Sequence, residues 1–292
     1  VTAPPPLMAV DGTGLLVRCS RAAARTGMHA PDGTPTGALT LFVGSLASMV
    51  REVRPLYFLV AWDGANGRAW RRAICPEYKA NRLPFPDKRP VESEQVREFC
   101  TAAGIAQWCM DDFEADDLLA AAARLSGRDL PGCDVVLCSD DRDVLQLIEP
   151  GRVRVRTFGS GGMTADTLSV IEEWGVYPEH LPSLRALAGD PSDGIPGLPG
   201  VGPVRAALML QQAGFSWPLP EAVLPDPAQH AQAQAWHDIM TLHGAPETPE
   251  GHDATGILDI RQTAWTRGNI LPVLEKYGMR VLAERWSKSA LW

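Results

Sequence analysis

Four short runs constrain the fold most: Leu7–Val10, Leu56–Trp62, Asp134–Cys138 and Val153–Phe158 read as strands, with longer amphipathic stretches between them. Gly37–Arg54, Glu92–Ala103 and Ala115–Ser126 read as helices. Parallel strands need a crossover long enough to hold a helix, so this alternation predicts an α/β fold around a mostly parallel sheet. A chain of 292 residues suits one large domain or two small ones.

Three of these strands run into acids. Asp11 follows the first, Asp63 the second, and Asp140, Asp141 and Asp143 follow Asp134–Cys138. Parallel strands release their carboxyl ends on one edge, where ligands bind in open α/β sheets, so these acids should converge. The stretch Asp111-Asp112-Phe113-Glu114-Ala115-Asp116-Asp117 adds more at a helix start. Taken singly, each acid is explained by capping, by the helix dipole or by turn formation. Taken together they would repel and raise one another's pKa unless cations held them. Oxygen-rich sites of this kind suit two or more Mg²⁺ or Mn²⁺ ions. Two such ions about 4 Å apart can stabilise the attacking and leaving oxygens of a phosphodiester displacement.

The net charge of −8 speaks against a nucleic-acid partner, but the basic residues are concentrated. Between residues 68 and 89 seven cations (Arg68, Arg71, Arg72, Lys79, Arg82, Lys88, Arg89) face two acids, a local charge of +5. Binding follows the local field. Turn residues bound the stretch from Gly64 to Pro90, which reads as an excursion from the sheet that orders on binding. Arg68, Arg72, Lys88 and Arg89 read as a solvated basic face, and Trp70 as a core residue.

From about Leu184 the texture changes. Leu184–Ala188 and Val204–Gln212 read as helices flanking the Gly/Pro-rich segment Gly189–Pro203. Gly200-Val201-Gly202 before Pro203 is a hairpin signal, with proline suited to the first helical position. Such a hairpin points backbone N–H groups and a helix N-terminus at a phosphate. Asp190 and Asp193 precede it and extend the acid set. Residues 215–256 carry many Pro, Gly and His and show no clear periodicity, and Gly268–Trp286 reads as a helix broken at Gly278. The six cysteines lack a CxxC pair and read as plain thiols, and the six histidines match no ligand spacing. No apolar run approaches the roughly 18–20 residues of a membrane span. Val1–Pro6 has no signal-peptide character, so a soluble cytoplasmic protein, nucleoid-associated when on DNA, is the expectation.

These motifs resemble the 5′-nuclease superfamily, in particular the bacterial 5′–3′ exonuclease/flap endonuclease found as the N-terminal part of DNA polymerase I and as a free-standing enzyme. The resemblance rests on Ala9-Val10-Asp11-Gly12, Trp62-Asp63-Gly64, Tyr78-Lys79-Ala80-Asn81-Arg82, Phe113-Glu114-Ala115-Asp116-Asp117-Leu118, Asp141-Arg142-Asp143-Val144-Leu145-Gln146-Leu147 and Gly189-Asp190-Pro191-Ser192-Asp193 with its hairpin. They occur in the family's order over about residues 7–212. The chain departs from the pattern at Asp140, where Gly or Ala is usual, and at Gly194, where Asn is typical. Val204 stands where a Lys is common, beside Arg205.

The resemblance implies a single 5′-nuclease domain over 1–292, with a PIN-like α/β core over 1–183 and a helical arch at about 64–92. A helix–three-turn–helix would span 184–214, and a C-terminal helical region packing on the core 215–292. It implies metal ligands at Asp11, Asp63, Glu114, Asp116, Asp117, Asp141, Asp143, Asp190 and Asp193. It places Lys79 and Arg71 at the scissile phosphate, and DNA contacts at Arg72, Tyr78, Arg82, Gly200, Val201, Gly202 and Arg205. The cofactors implied are Mg²⁺ or Mn²⁺, two or more per chain, with K⁺ at the helix–three-turn–helix. The expected partner is DNA with a free 5′ end (a flap, nick or overhang), bound by a monomer. The expected reaction is structure-specific hydrolysis of phosphodiesters in replication and repair. The rival readings are a catalytically weak DNA-binding member and a PIN-type ribonuclease.

Overall fold

The computed structural model describes residues 6–25, 27–80, 89–159, 161–242, 267–279 and 283–284. Arg82, Lys88 and most of the arch tip, with much of the C-terminal region, lie outside the described residues. Strand β1 (Leu7–Asp11) is buried along its whole length, as is β2 (Tyr57–Trp62). Neither alternates apolar with polar residues, because both faces of a central parallel strand are covered. With β3 (Ala106–Cys109), β4 (Val135–Cys138), β5 (Val153–Arg156) and β6 (Thr164–Ala165) they form one sheet in the order β3-β2-β1-β4-β5-β6. All pairings are parallel except β5 with β6. The register sets Asp11 level with Ala61, and Val10 level with Cys138, so the acids after β1, β2 and β4 leave the same edge.

Helices α1 (Gly12–Ala23), α2 (Gly37–Val53) and α4 (Arg89–Ala102) pack on one another. Helix α5 (Ala115–Asp129) lies across β1 to β4. Leu118, Leu119, Ala121, Ala122 and Leu125 of α5 are buried in the core, alongside Phe42, Leu46 and Phe99. Burial of a Leu or Phe side chain stabilises by roughly 1.5–3 kcal/mol, so the sheet edge has a stiff base.

The segment from Gly64 to Ala80 differs from the expected excursion. It is folded against the body: α3 (Ala69–Ile74) packs on α9 (Pro227–Met240), and Arg71, Tyr78 and Lys79 are buried. Its positive charge is matched by internal acids, which is why it needs no ligand to order. After β6 come α6 (Thr167–Trp174), α7 (Leu181–Ala188) and α8 (Pro203–Gln212). Helix α7 packs on both α8 and α9, and α10 (Arg267–Lys276) packs on α4. Among the described residues no helix is long and apolar enough to cross a membrane.

Candidate functional site

The carboxyl edge of β1, β2 and β4 gathers the acids, and local structure fixes each one. Asp11 is the N-cap of α1: its Oδ1 accepts the Gly14 N–H at 2.7 Å. Asp63 accepts the Ala115 N–H at 2.9 Å, joining the end of β2 to the start of α5. Asp141 caps the 3-10 turn Arg142–Leu147 by accepting the Asp143 N–H at 2.9 Å. Ser139, which the sequence reading did not single out, ties two of them. Its hydroxyl lies 3.1 Å from Asp11 Oδ2 and accepts the Asp141 N–H at 3.1 Å.

Around this group lies a ring of paired charges. Glu114 accepts from four donors: Arg68 Nε at 3.0 Å, Lys79 Nζ at 2.9 Å, Arg71 Nη1 at 3.1 Å and the Tyr78 hydroxyl at 2.9 Å. Burial alone would raise its pKa, but Lys79 and Arg71 hold it down at about 2. Asp117 receives both Arg71 nitrogens at 2.6 and 2.8 Å, and its carboxylate closes a capping box with Glu114. Glu114 and Asp117 therefore share a face in pairing and capping, while Asp116 takes the opposite role. Asp116 Oδ1 is buried without a hydrogen-bond partner. Burial, then the charges of Asp141 and Asp11, lift its pKa well above the usual carboxylate range. Burial likewise pushes Asp11 up to about 7, opposed by the Gly14 N–H and reinforced by Asp63 and Asp141.

Arg185 was missed by the sequence reading. It sits inside α7, 6% exposed, and its Nη1 donates to both Asp143 and Asp190, the latter at 3.0 Å. A charged residue on the buried face of the run Leu181–Ala188 was the available signal. Arg68 is a correction too: it is half-buried and bonded to Glu114, not a solvated cation. Asp190 also accepts the Ser192 N–H and hydroxyl at 2.8 and 2.6 Å; burial opposes these, yet its pKa is lowered. Asp193 is 1% exposed, 3.8 Å from Lys79 Nζ.

The residues expected at DNA divide into two sets. Arg71, Tyr78 and Lys79 are interior, between 1 and 3% exposed. The Arg71 guanidinium covers the Trp70 ring at 4.4 Å and also donates to the Ile239 carbonyl of α9 at 2.9 Å. The Tyr78 ring has Lys79 Nζ at 4.8 Å and the Arg71 guanidinium at 5.8 Å. Arg72, Gly200, Gly202 and Arg205 are exposed, and Val201 is half-buried. Arg205 donates to the Gly200 carbonyl at 3.3 Å, across the turn that opens α8 at Pro203. Among the described residues no three acids, histidines or cysteines are already spaced to hold one metal ion. The orphaned oxygen of Asp116, beside Asp11 and Asp141 with their raised or crowding charges, is nevertheless a donor set that fits a hard cation.

A family model described as "5′-3′ exonuclease, N-terminal resolvase-like domain" matches residues 6–175. The flap endonuclease Xni of Photorhabdus laumondii is 34% identical over 210 residues, covering 71% of this chain and 77% of that protein. The DNA polymerase I of Rhizobium leguminosarum is 33% identical over 216 residues, 71% of this chain and 21% of that protein. The chain thus spans about a fifth of the length of the polymerase relatives it matches. Among solved structures, a bacteriophage T5 flap endonuclease complex with DNA and metal ions has a TM-score of 0.63 at 20% identity, covering 93% of this chain and 98% of that one. The catalytic core of Rad2 with DNA substrate has a TM-score of 0.57 at 15% identity, covering 94% and 88%. At these identities the likeness speaks for the fold.

Proposed function

Because this chain belongs to the 5′–3′ exonuclease family, we propose that it is a divalent-metal-dependent 5′-nuclease that hydrolyses phosphodiesters of DNA near a free 5′ end. The observation that carries the reading is the trio Asp11, Asp116 and Asp141. Among the described residues none of the three is in a direct ion pair with Arg, Lys or His, while the acids around them are paired with Arg68, Arg71, Lys79 and Arg185. Buried carboxylates without counter-charge are costly, and a cation relieves the cost. In this reading Asp11, Asp116 and Asp141 hold the first ion, and Asp63, Asp143, Asp190 and Asp193 serve the second directly or through water. Mg²⁺ or Mn²⁺ bound there would supply Lewis-acid polarisation of the phosphodiester and a lowered pKa for the attacking water.

The chain's own residues do the rest. Lys79, at the inner end of the arch segment, offers positive charge to the phosphate where negative charge develops. Arg71 and Tyr78, interior and hydrogen-bonded to Glu114, fix the carboxylates beside it. Arg72, Arg205, Arg82 and the Gly200-Val201-Gly202 turn grip the DNA backbone, which positions the duplex without reading its sequence. A K⁺ ion at main-chain carbonyls of that turn belongs to the same reading. So do monomeric action and the division into a core at 1–183, a helix–three-turn–helix at 184–214 and a C-terminal region at 215–292. The expected products carry a 5′ phosphate and a 3′ hydroxyl.

The test is cleavage of a labelled 5′-flap oligonucleotide with Mg²⁺, comparing native protein with Asp141→Asn. Native protein should cut near the junction, and the variant should lose about a hundredfold or more of the rate. No cutting by native protein, or undiminished cutting by the variant, would refute the proposal. A matched RNA flap cut faster than DNA would favour the ribonuclease reading.

A further inference from the structure

Helix α9 (Pro227–Met240) ends against both sides of the acid cluster. The last four carbonyls of an α-helix have no partner within it and must find one elsewhere. The His237 carbonyl accepts the Thr241 N–H at 2.9 Å and the Thr241 hydroxyl at 2.8 Å. The Ile239 carbonyl accepts Arg71 Nε at 2.9 Å, and the Met240 carbonyl accepts Gln146 Nε2 at 3.1 Å. Arg71 is paired with Glu114 and Asp117, whereas Gln146 belongs to the 3-10 turn that Asp141 caps and that carries Asp143. Two consecutive carbonyls of one helix end are thus held from opposite sides of the site.

Gln146 spends its whole amide on main chain. Its Nε2 also donates to the Asp143 carbonyl at 2.8 Å, and its Oε1 accepts the Leu242 N–H at 2.9 Å. A flipped amide would set its oxygen against two carbonyls and its NH₂ against an N–H, so its partners fix its orientation. Asp143 is tied three ways: its carboxylate by Arg185, its N–H by Asp141 at 2.9 Å and its carbonyl by Gln146. The last of these leads on to α9. Met240 and Leu242 lie 94 and 96 residues from Gln146 along the chain, beyond residue 175 where the family match ends.

We propose that Gln146 is a positioning residue and that the end of α9 is the spacer it works through. The helix end holds the turn of Asp141 and Asp143 at a fixed separation from Arg71, and so from Glu114 and Asp117. The inference rests on the nuclease reading for its consequence at metal and phosphate, but the spacer itself can be measured without either.

The experiment compares Gln146→Met, which fills similar space without hydrogen bonds, with Thr241→Val. The Thr241 variant removes one side-chain bond from the same helix end, and the backbone N–H still serves the His237 carbonyl. Three readouts are taken: amide exchange at Asp143 without metal, Mn²⁺ binding by calorimetry, and single-turnover cleavage of a 5′ flap. The Asp143 N–H is bonded to Asp141 and not to Gln146, so its exchange reports the placement of the turn. Gln146→Met should speed that exchange, weaken Mn²⁺ binding and slow cleavage, each by tenfold or more, with the flap Kd within threefold. Thr241→Val should leave all of these within threefold of native. Gln146→Glu keeps an acceptor for Leu242 but loses both donations; it should behave like Gln146→Met and carries the test should the methionine variant not fold. Native-like Asp143 exchange or Mn²⁺ affinity in a folded Gln146 variant, or equal effects in Thr241→Val, overturns the proposal. If native protein binds no Mn²⁺ and cuts no flap, the nuclease reading fails on those arms, while the metal-free exchange still decides the spacer.

Discussion

Arg185→Met should destabilise the protein severely without divalent metal and much less with it. Arg185 reaches Asp143 and Asp190 through one nitrogen, and the three side chains are only 7, 10 and 13% exposed. Removing one partner of a buried ionic set leaves the others uncompensated and costs about 3–5 kcal/mol. At roughly 2 °C per kcal/mol for a chain of this size, the melting temperature should fall by roughly 6–10 °C in EDTA. A divalent cation that binds the folded state returns about 2.7 kcal/mol at a hundred times its Kd. Saturating Mg²⁺ should therefore narrow the gap between variant and native protein by several degrees. Arg185→Lys should keep most of the native stability, because both contacts run through a single nitrogen that an ammonium can replace. Thermal denaturation of the three proteins, each in EDTA and in Mg²⁺, measures all of this. A loss under about 2 °C in EDTA, or a gap that Mg²⁺ leaves unchanged, would refute the reasoning.

Asp116→Asn should weaken divalent-metal binding by calorimetry with little loss of Tm, whereas Asp117→Asn should cost stability and leave metal affinity closer to native; the reverse pattern would contradict the geometry. Lys79→Met should slow single-turnover cleavage by roughly a hundredfold, with a loss below tenfold counting against its role. His180, stacked on Phe215 at 4.9 Å and beside Glu179, has its pKa lowered by burial. Its neutral form is favoured in the native state, so the stability it contributes is full above about pH 6.5 and lost as pH falls through the depressed folded pKa. His180→Gln should accordingly flatten the fall in Tm between pH 7 and 5, and an unchanged slope would exclude it. Of the six thiols only Cys109 is exposed, so a thiol reagent should titrate one cysteine in the native protein and six in denaturant; two or more fast native thiols would disagree.

The main chain order was legible because burial on both faces of a strand leaves an unmistakable apolar run. Tyr57–Trp62 and Val135–Cys138 stand where they were expected, within a residue. The edge strand Ala106–Cys109 was not seen: four residues, of which only Trp108 is buried, leave no usable period. Helix α9 was missed because its Gln and His residues mask an apolar face made only of Ala233, Trp236, Ile239 and Met240, although Asp226 before Pro227 is a start signal. At the site, the acids were legible because strand ends and helix starts fix their positions along the chain. Their partners were not. Arg71 and Lys79 were read as groups reaching for DNA, and nothing in their local sequence says that Asp117 and Glu114 lie in wait behind them. Long-range pairing of this kind is a property of the fold.

That pairing is what gives the acid edge its direction. Nine acids face four buried or half-buried cations, and the cations are unevenly spread. Glu114 and Asp117 are served by Arg68, Arg71 and Lys79, and Asp143 and Asp190 by Arg185. Asp11 and Asp141 have only neutral donors, and Asp116 Oδ1 has none. A metal that entered at Glu114 would have to evict Arg71, leaving a guanidinium buried without counter-charge at a cost of several kcal/mol. A metal that entered among Asp11, Asp116 and Asp141 would evict no cation and relieve the cost of burying carboxylates side by side. In the proposed reading Arg68, Arg71 and Lys79 therefore close the Glu114 and Asp117 side of the acid cluster to ions, while the side of Asp11, Asp116 and Asp141 stays open. Asp117, although it sits in the acidic motif, belongs to the closed side, and Asp116, its neighbour in sequence, belongs to the open one.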